Sequence, residues 1–303
     1  MANIQKKYII LSSIVVVLAV ILILTVTLKN KGYSLPQLKA INTQLSEITI
    51  TRNGNETITI KFNDNKWTVN DKYNADTKAI ESITNAFNNI QPVELLSRGN
   101  TEILDKYSLT DNEALIVKAK DTSSKEVRNI KFGMKANFGN LVYGQINNDK
   151  NVYLIGNTPI NPKDIFDKTE DDLINKTISS VRIDDINKIT ISYNNNSYTL
   201  EKTDSTNWTK TWNNQNINQD DIYTSLYFIV NLRADGLIKD NIQRANLLYK
   251  VEIYLSDGTT VNYNIYAKTD NYEIELVNDD TRYYLLESSF QDLETKINNI
   301  IQN

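Results

Sequence analysis

The sequence predicts an α+β protein: an N-terminal transmembrane helix followed by two tandem repeats, each a mainly antiparallel β-sheet with a packed helix. Three observations predict this. The stretch from Tyr8 to Leu28 is an apolar run without charge, proline or glycine. Short alternating strands meet at strong hairpin turns, Asn53-Gly54 and Asp257-Gly258, rather than being spaced as βαβ units. The same order of strand and helix patterns also returns later in the chain, at an offset of 141 residues that takes Ile48 to Ile189 and Trp67 to Trp208 and shrinks to 131 by Tyr153 to Tyr284, as loop deletions require.

The apolar run comes first in the chain. At 1.5 Å per helical residue it spans a hydrocarbon core of roughly 30 Å. A cleaved signal peptide is the competing reading, but its apolar region is usually about 7–15 residues and ends in a small-x-small site. Here the exit reads Thr27, Leu28, Lys29, Asn30, Lys31, which favours an uncleaved anchor over residues 1–30. Lys6 and Lys7 before the run are balanced by Lys29 and Lys31 after it, so positive charge sets no orientation. The short tail and large body of a signal anchor place the N-terminus in the cytoplasm and the body outside.

Composition bounds the rest. The chain has 303 residues, 40% of them hydrophobic, enough for real cores rather than disorder. Its net charge is −4, and five lysines precede the first acid, Glu47, so the part from Glu47 onward carries −9. An acidic body argues against nucleic acid as a partner, since that affinity rests on phosphate neutralisation. The sequence holds no His and no Cys. Zinc, haem and iron–sulfur sites of the usual kinds therefore lack their ligands, and Ser-His-Asp or Cys-His catalysis lacks its base. Disulfides are equally excluded. No cofactor is expected.

Residues 31–46 form a polar connector containing Pro36. Fully extended, the chain from Lys29 to Leu45 would reach roughly 55–60 Å and leave the body clear of the bilayer. The first repeat, residues 47–170, opens with alternation at Ile48–Ile50 and Ile58–Ile60 around Asn53-Gly54, then the short strand Trp67–Val69. Asn74-Ala75-Asp76 supplies a helix start, and Ile80, Ile83, Ala86, Phe87 and Ile90 recur at helical spacing until Pro92. Strand patterns follow at 114–119, 127–132, 141–145 and 152–155, then a turn between Pro159 and Pro162 into Ile165-Phe166.

The second repeat, residues 171–303, begins near the acidic seam Glu170-Asp171-Asp172 and runs through the same list. Ile189–Ile191, an Asn194-Asn195-Asn196 turn, Tyr198–Leu200 and Trp208-Thr209 precede a helix over 219–232. Strands at 249–255, 261–266, 272–276 and 283–286 follow, and Phe290, Leu293, Ile297 and Ile300 mark a closing helix.

This arrangement resembles a bacterial family known as domain of unknown function 4340, over nearly the whole chain. The resemblance is carried by the N-terminal span, the early strand pair, Trp67-Thr68-Val69, the following helix, the turn Tyr107-Ser108-Leu109 and the antiparallel meander. Ser108 stands where the family usually has glycine; in the second half Trp208-Thr209-Lys210 lacks the last apolar residue, and Ala245-Asn246-Leu247 matches the turn poorly. The resemblance implies an extracytoplasmic accessory subunit, because genes of this family often neighbour gliding-motility-type ABC transporter components. It brings no catalytic residues with it.

Each candidate site has a structural reading beside the functional one. Trp67 and Trp208 read as core anchors rather than sugar platforms. Tyr249, Tyr254, Tyr263, Tyr266, Tyr272, Tyr283 and Tyr284 crowd the second half; they suit strands, or a face that binds glycan or protein, with Tyr254 and Tyr263 expected as cross-strand neighbours. The acid pairs Asp171-Asp172, Asp184-Asp185, Asp220-Asp221 and Asp279-Asp280 lack the alternating spacing of a calcium loop and read as turns or caps. Catalytic, cofactor-binding and metal-site residues are none. The expectation is a non-enzymatic scaffold of a membrane assembly with protein partners, the alternative a cell-envelope glycan- or solute-binding module.

Overall fold

The computed structural model describes residues 13–25, 35–239, 243–267 and 270–302. The first described element, helix α1, covers residues 13–25, about 20 Å of helix. Among the described residues no helix is long and apolar enough to cross a membrane. Residues 8–12 and 26–28 of the apolar run lie outside the described residues. Every residue of α1 is exposed, with Leu22 at 66% and Val16 at 61%.

Two nine-stranded sheets follow, and they have one topology. The first takes β1 (Leu45–Arg52), β2 (Glu56–Asn63), β3 (Lys66–Val69), β4 (Tyr73–Asn74), β5 (Gln91–Ser97), β6 (Leu115–Asp121), β7 (Glu126–Lys135), β8 (Val142–Ile146) and β9 (Val152–Gly156), in the order β4-β3-β2-β1-β6-β7-β8-β9-β5. The second takes β10 (Ile186–Tyr193), β11 (Asn196–Lys202), β12 (Asn207–Lys210), β13 (Gln215–Asn218), β14 (Gly236–Leu237), β15 (Leu247–Leu255), β16 (Thr260–Tyr266), β17 (Tyr272–Leu276) and β18 (Arg282–Leu285), in the order β13-β12-β11-β10-β15-β16-β17-β18-β14. All the strand pairings are antiparallel. Even an irregularity is copied at the offset that relates the repeats: the β1–β6 ladder slips between Leu45 and Glu47, and the β10–β15 ladder between Ile186 and Lys188. A duplicated bulge at one register position is hard to obtain from two unrelated sheets.

The hairpins follow from turn chemistry. Asn53 and Gly54 both take positive φ, 48° and 74°, as a tight hairpin requires. Among the described residues, twelve of the fourteen non-glycine residues at positive φ are Asn or Asp, so the abundant asparagines substitute for glycine in the turns of a glycine-poor chain.

In each repeat a helix crosses between the fourth and fifth strands and packs on the sheet. Helix α2 (Thr77–Asn89) starts at Asp76, whose carboxylate accepts from Lys78 N and Ala79 N, and buries Ile80, Ile83, Ala86 and Phe87. Two short helices, α3 (Pro162–Phe166) and α4 (Glu170–Leu173), close the first repeat. The counterpart of α2 in the second repeat, α5 (Gln219–Val230), is capped by Asn218 and buries Ile222, Leu226, Ile229 and Val230. The 16-residue α6 (Glu287–Gln302) closes the second repeat and packs on α5. Phe87, Phe132 and Phe166 cluster in the first half, and Tyr249, Phe290 and Tyr272 in the second. One continuous apolar core links both halves.

The chain between the repeats is tied to each of them. Asn175 N donates to Asn74 O at 2.8 Å and Asp76 N to Leu173 O at 2.7 Å; further on, Ala234 N donates to Lys176 O at 2.8 Å and Ile178 N to Leu232 O at 2.9 Å. Arg233 of the second half pairs with Asp76 of the first at 3.0 Å.

The connector is not a free tether. Leu38 is buried, and Gln91 clasps its backbone twice, accepting from Leu38 N and donating to Leu38 O, both at 3.0 Å. Ile41 N donates to Asn88 Oδ1 at 2.7 Å, and Arg128 Nη2 to Lys39 O at 2.6 Å. The expected long reach is therefore corrected. From Leu28 only seven residues lead to Leu35, a span of at most roughly 25 Å.

Candidate functional site

Strand alternation builds a charged cluster on the outer face of the second sheet. Ile265, Ile274 and Tyr283 point into the core, which turns Asn264, Tyr266, Glu273, Glu275 and Arg282 outward. Register then brings them together: Tyr266 lies opposite Glu273, Asn264 opposite Glu275, and Glu275 opposite Arg282. Arg244, just before β15, reaches across them.

Glu273 is the centre and is 5% exposed. Arg282 holds it with two bonds, Nε to Oε1 at 2.9 Å and Nη2 to Oε2 at 2.6 Å, while Arg244 Nε donates to Oε1 at 2.8 Å. The other side of Arg244 donates from Nη1 to Glu275 Oε1 at 2.8 Å, and its guanidinium lies 4.6 Å from the centre of the Tyr266 ring. Tyr266 OH and Asn264 Nδ2 complete Glu275 at 2.6 and 3.1 Å. The buried Oδ1 atoms of Asn262 and Asn264 make no hydrogen bond.

Burial pushes the Glu273 carboxyl up, but hydrogen bonds and charge from Arg282 and Arg244 outweigh it, and the group settles below the usual glutamate value. Glu275 behaves likewise: burial is overcome by bonds from Tyr266, Asn264 and Arg244. Burial, then its bond to Glu275, pushes the Tyr266 phenol up. Every resolved shift of an Asp or Glu among the described residues is downward. A carboxyl general acid needs the opposite shift.

Beside the cluster lies a cleft of about 290 Å³, with Glu273, Arg282 and Tyr284 on one wall and Leu237, Lys239 and Asp270 among the others. A second depression of about 230 Å³ shares Ile238, Lys239 and Arg282 and extends to Lys72 and Tyr73 of the first repeat. The two therefore form one groove across the repeat junction. Lys239 is engaged there by Glu170, which also accepts from Asn70 Nδ2 at 2.8 Å. The groove offers aromatic edges and paired charges, which suits recognition of a polar group.

The sequence-derived candidates fall elsewhere. Trp208 is fully buried and its Nε1 donates to Gln219 Oε1 at 3.2 Å, but Trp67 is only half-buried, against Phe62 and a surface pocket over α2. Tyr249, Tyr263 and Tyr283 are core residues, and Tyr272 stacks on Phe290 at 3.6 Å, so the tyrosines do not form one binding face. The Tyr254–Tyr263 pairing is corrected: Tyr254 pairs with Thr260 and Tyr263 with Val251, because the tight turn at Asp257-Gly258 puts the two tyrosines on opposite faces. Asp172 forms a capping box with Thr169, and Asp171 pairs with Lys176. Asp184 and Asp185 lie near Arg182, Asp220 and Asp221 sit in the first turn of α5, and Asp279 accepts from Thr281 N in a turn. The Glu273 cluster escaped sequence reading, although the spacing Glu273-x-Glu275 on a strand already placed both carboxylates on one face.

No curated protein and no solved structure matched the chain. The family described as Domain of unknown function (DUF4340) matches residues 67–250, a stretch running from the first tryptophan strand into β15. With more than half its length matched, across the seam of the duplication and both crossover helices, the chain belongs to the DUF4340 family.

Proposed function

We propose that the protein is a non-enzymatic accessory or scaffold subunit of a membrane assembly, such as an ABC-type transporter or gliding-type apparatus. Its anchor, residues 1–30, crosses the membrane from Tyr8 to Leu28, with the N-terminus cytoplasmic and the body extracytoplasmic. The units at 47–170 and 171–303 present its binding surfaces. The observation that carries this reading is α1: thirteen consecutive residues of an apolar run, every one exposed, in a chain whose other long helices bury their apolar faces. Water penalises such a helix by about 25 cal/mol per Å² of apolar surface, whereas lipid does not. The docked connector supports it too, since it holds the body near the bilayer, where membrane subunits are within reach. The paired, downward-shifted carboxylates favour a binding role over acid–base chemistry.

Alkaline-carbonate extraction of membranes, with protease treatment of intact cells, tests this reading. The chain is expected in the pellet, its body digested from outside. Recovery in the wash, or a body protected until lysis, would contradict it. A second reading, a module that binds an envelope glycan or solute, draws on the groove at Arg282 and Tyr284. Retention on purified envelope polysaccharide, lost in Tyr284→Ala, would favour it over the scaffold.

A further inference from the structure

Arg128 is out of place by the logic of the duplication. On β7 it pairs with Ala119, and the corresponding pair in the second sheet is Val261 with Ile253. A position that takes valine in one repeat thus takes arginine in the other. The Arg128 side chain lies beneath the connector and is 3% exposed. Its Nη2 donates to Lys39 O, its Nε makes no hydrogen bond, and among the described residues no carboxylate pairs with it. Burial alone, with no acidic partner, draws its guanidinium below the usual arginine value.

A buried charge without a counter-ion is strongly disfavoured, and a carbonyl dipole offsets only part of that penalty. An arginine kept solely to hold the connector would be a poor choice there, because Gln91 and Asn88 bind the connector backbone without a buried charge. The arginine also borders a pocket of about 410 Å³ between the connector and β7. Around that pocket stand Lys39, Thr43 and Asn147; Asn147 Oδ1 accepts from Asn129 N at 3.2 Å, which leaves its amide N–H₂ to donate. The residues that line this pocket carry guanidinium, ammonium, hydroxyl and amide donors, the groups that complement a tetrahedral oxyanion.

We propose that the pocket between residues 37–43 and Arg128 binds a phosphate group, either free or carried by a lipid headgroup. The headgroup source rests on the membrane reading above; the site does not.

The test uses the full chain in a phosphate-free maltoside detergent, titrated with inorganic phosphate or with short-chain phosphatidylglycerol and followed by ³¹P NMR. Trypsin cleavage at Lys39 reports in parallel whether the connector stays docked. Saturable binding is expected, at least tenfold weaker in Arg128→Met and severalfold weaker in Lys39→Ala, which keeps the backbone carbonyl that Arg128 holds. Tighter binding of the phospholipid than of inorganic phosphate assigns the headgroup as the source; equal binding assigns free phosphate. If Arg128→Met releases the connector, Lys39→Ala and Asn147→Ala carry the test, and unchanged binding in both overturns the proposal. Absence of saturable binding by either probe in the wild type also overturns it, as does full binding in Arg128→Met.

Discussion

Lys210 gives the sharpest perturbation. The offset that relates the repeats sets it against Val69, and the two residues occupy one place in the duplicated sheets: Val69 pairs with Ile60, Lys210 with Leu200. Val69 is fully buried there, and so is Lys210, whose Nζ makes no hydrogen bond. The nearest compensation is the Trp212 ring, 5.7 Å from Nζ. A buried unsatisfied polar group costs about 1–3 kcal/mol, more when charged, and a cation–π contact close to its outer distance limit returns about 0.5–1 kcal/mol. Lys210→Met keeps the side-chain length, so repacking should cost under about 1 kcal/mol. The net expectation is a gain of about 1 kcal/mol, or roughly 2–4 °C in melting temperature. Burial draws the Lys210 ammonium below its ordinary value of 10.5, so between the folded and unfolded values the unfolded chain binds more protons. Wild-type stability contributed by this group therefore rises with pH across that window. Urea unfolding, followed by tryptophan fluorescence from neutral pH to pH 10, should show the Met variant more stable at neutral pH. Its advantage should shrink as the pH approaches 10.5. A variant no more stable than wild type, or an advantage that does not change with pH, would refute the reasoning.

Other perturbations follow from the same geometry. Trp208→Ala should cost about 3–5 kcal/mol in denaturant unfolding and Trp67→Ala about half of that, since only Trp208 is fully buried; equal losses would contradict the difference. Glu273→Gln leaves two arginines facing a neutral amide and should cost about 2–3 kcal/mol, less than a fully buried pair because both arginines reach water. The folded-state value of Glu273 is depressed, so its contribution is complete above the ordinary 4.5 and fades as pH falls through the folded value. In acid melts the gap between wild type and Glu273→Gln should close. Ser108 sits at φ 53° in the turn that packs over Gly133, and Ser108→Gly should stabilise by about 0.5–1 kcal/mol in the same melts; a loss would show that the hydroxyl carries a contact outweighing the strain.

Much of this fold is written in the sequence as period and turn. Both hairpins, both crossover helices and the closing helix stand where Asn53-Gly54, Asp257-Gly258, Asp76 and the helical spacing of Phe290 to Ile300 placed them. The unread strands are β4, β5, β13 and β14, the edge strands of both sheets. Each lacks the alternating apolar pattern for a reason. Edge strands pair on one side only: β5 tolerates Pro92, β13 reads Gln-Asn-Ile-Asn, and β4 and β14 have two residues each. The Glu273 cluster was hidden because its members come from four segments between Arg244 and Arg282, and register alone unites them. The docking of the connector was equally illegible, since Gln91 and Asn88 are ordinary surface residue types whose partners are backbone atoms 53 and 47 positions away.

The central claim is that this chain works by holding partners at a membrane. Affinity isolation of the full chain from membranes in mild detergent, with quantitative mass spectrometry against a version lacking residues 8–28, tests it most directly. The account predicts a reproducible set of membrane proteins enriched with the full chain, depleted without the apolar run, and reduced by substitutions on the body that leave it folded. A full chain recovered alone from the membrane fraction, with the same background as the truncated version, would contradict it.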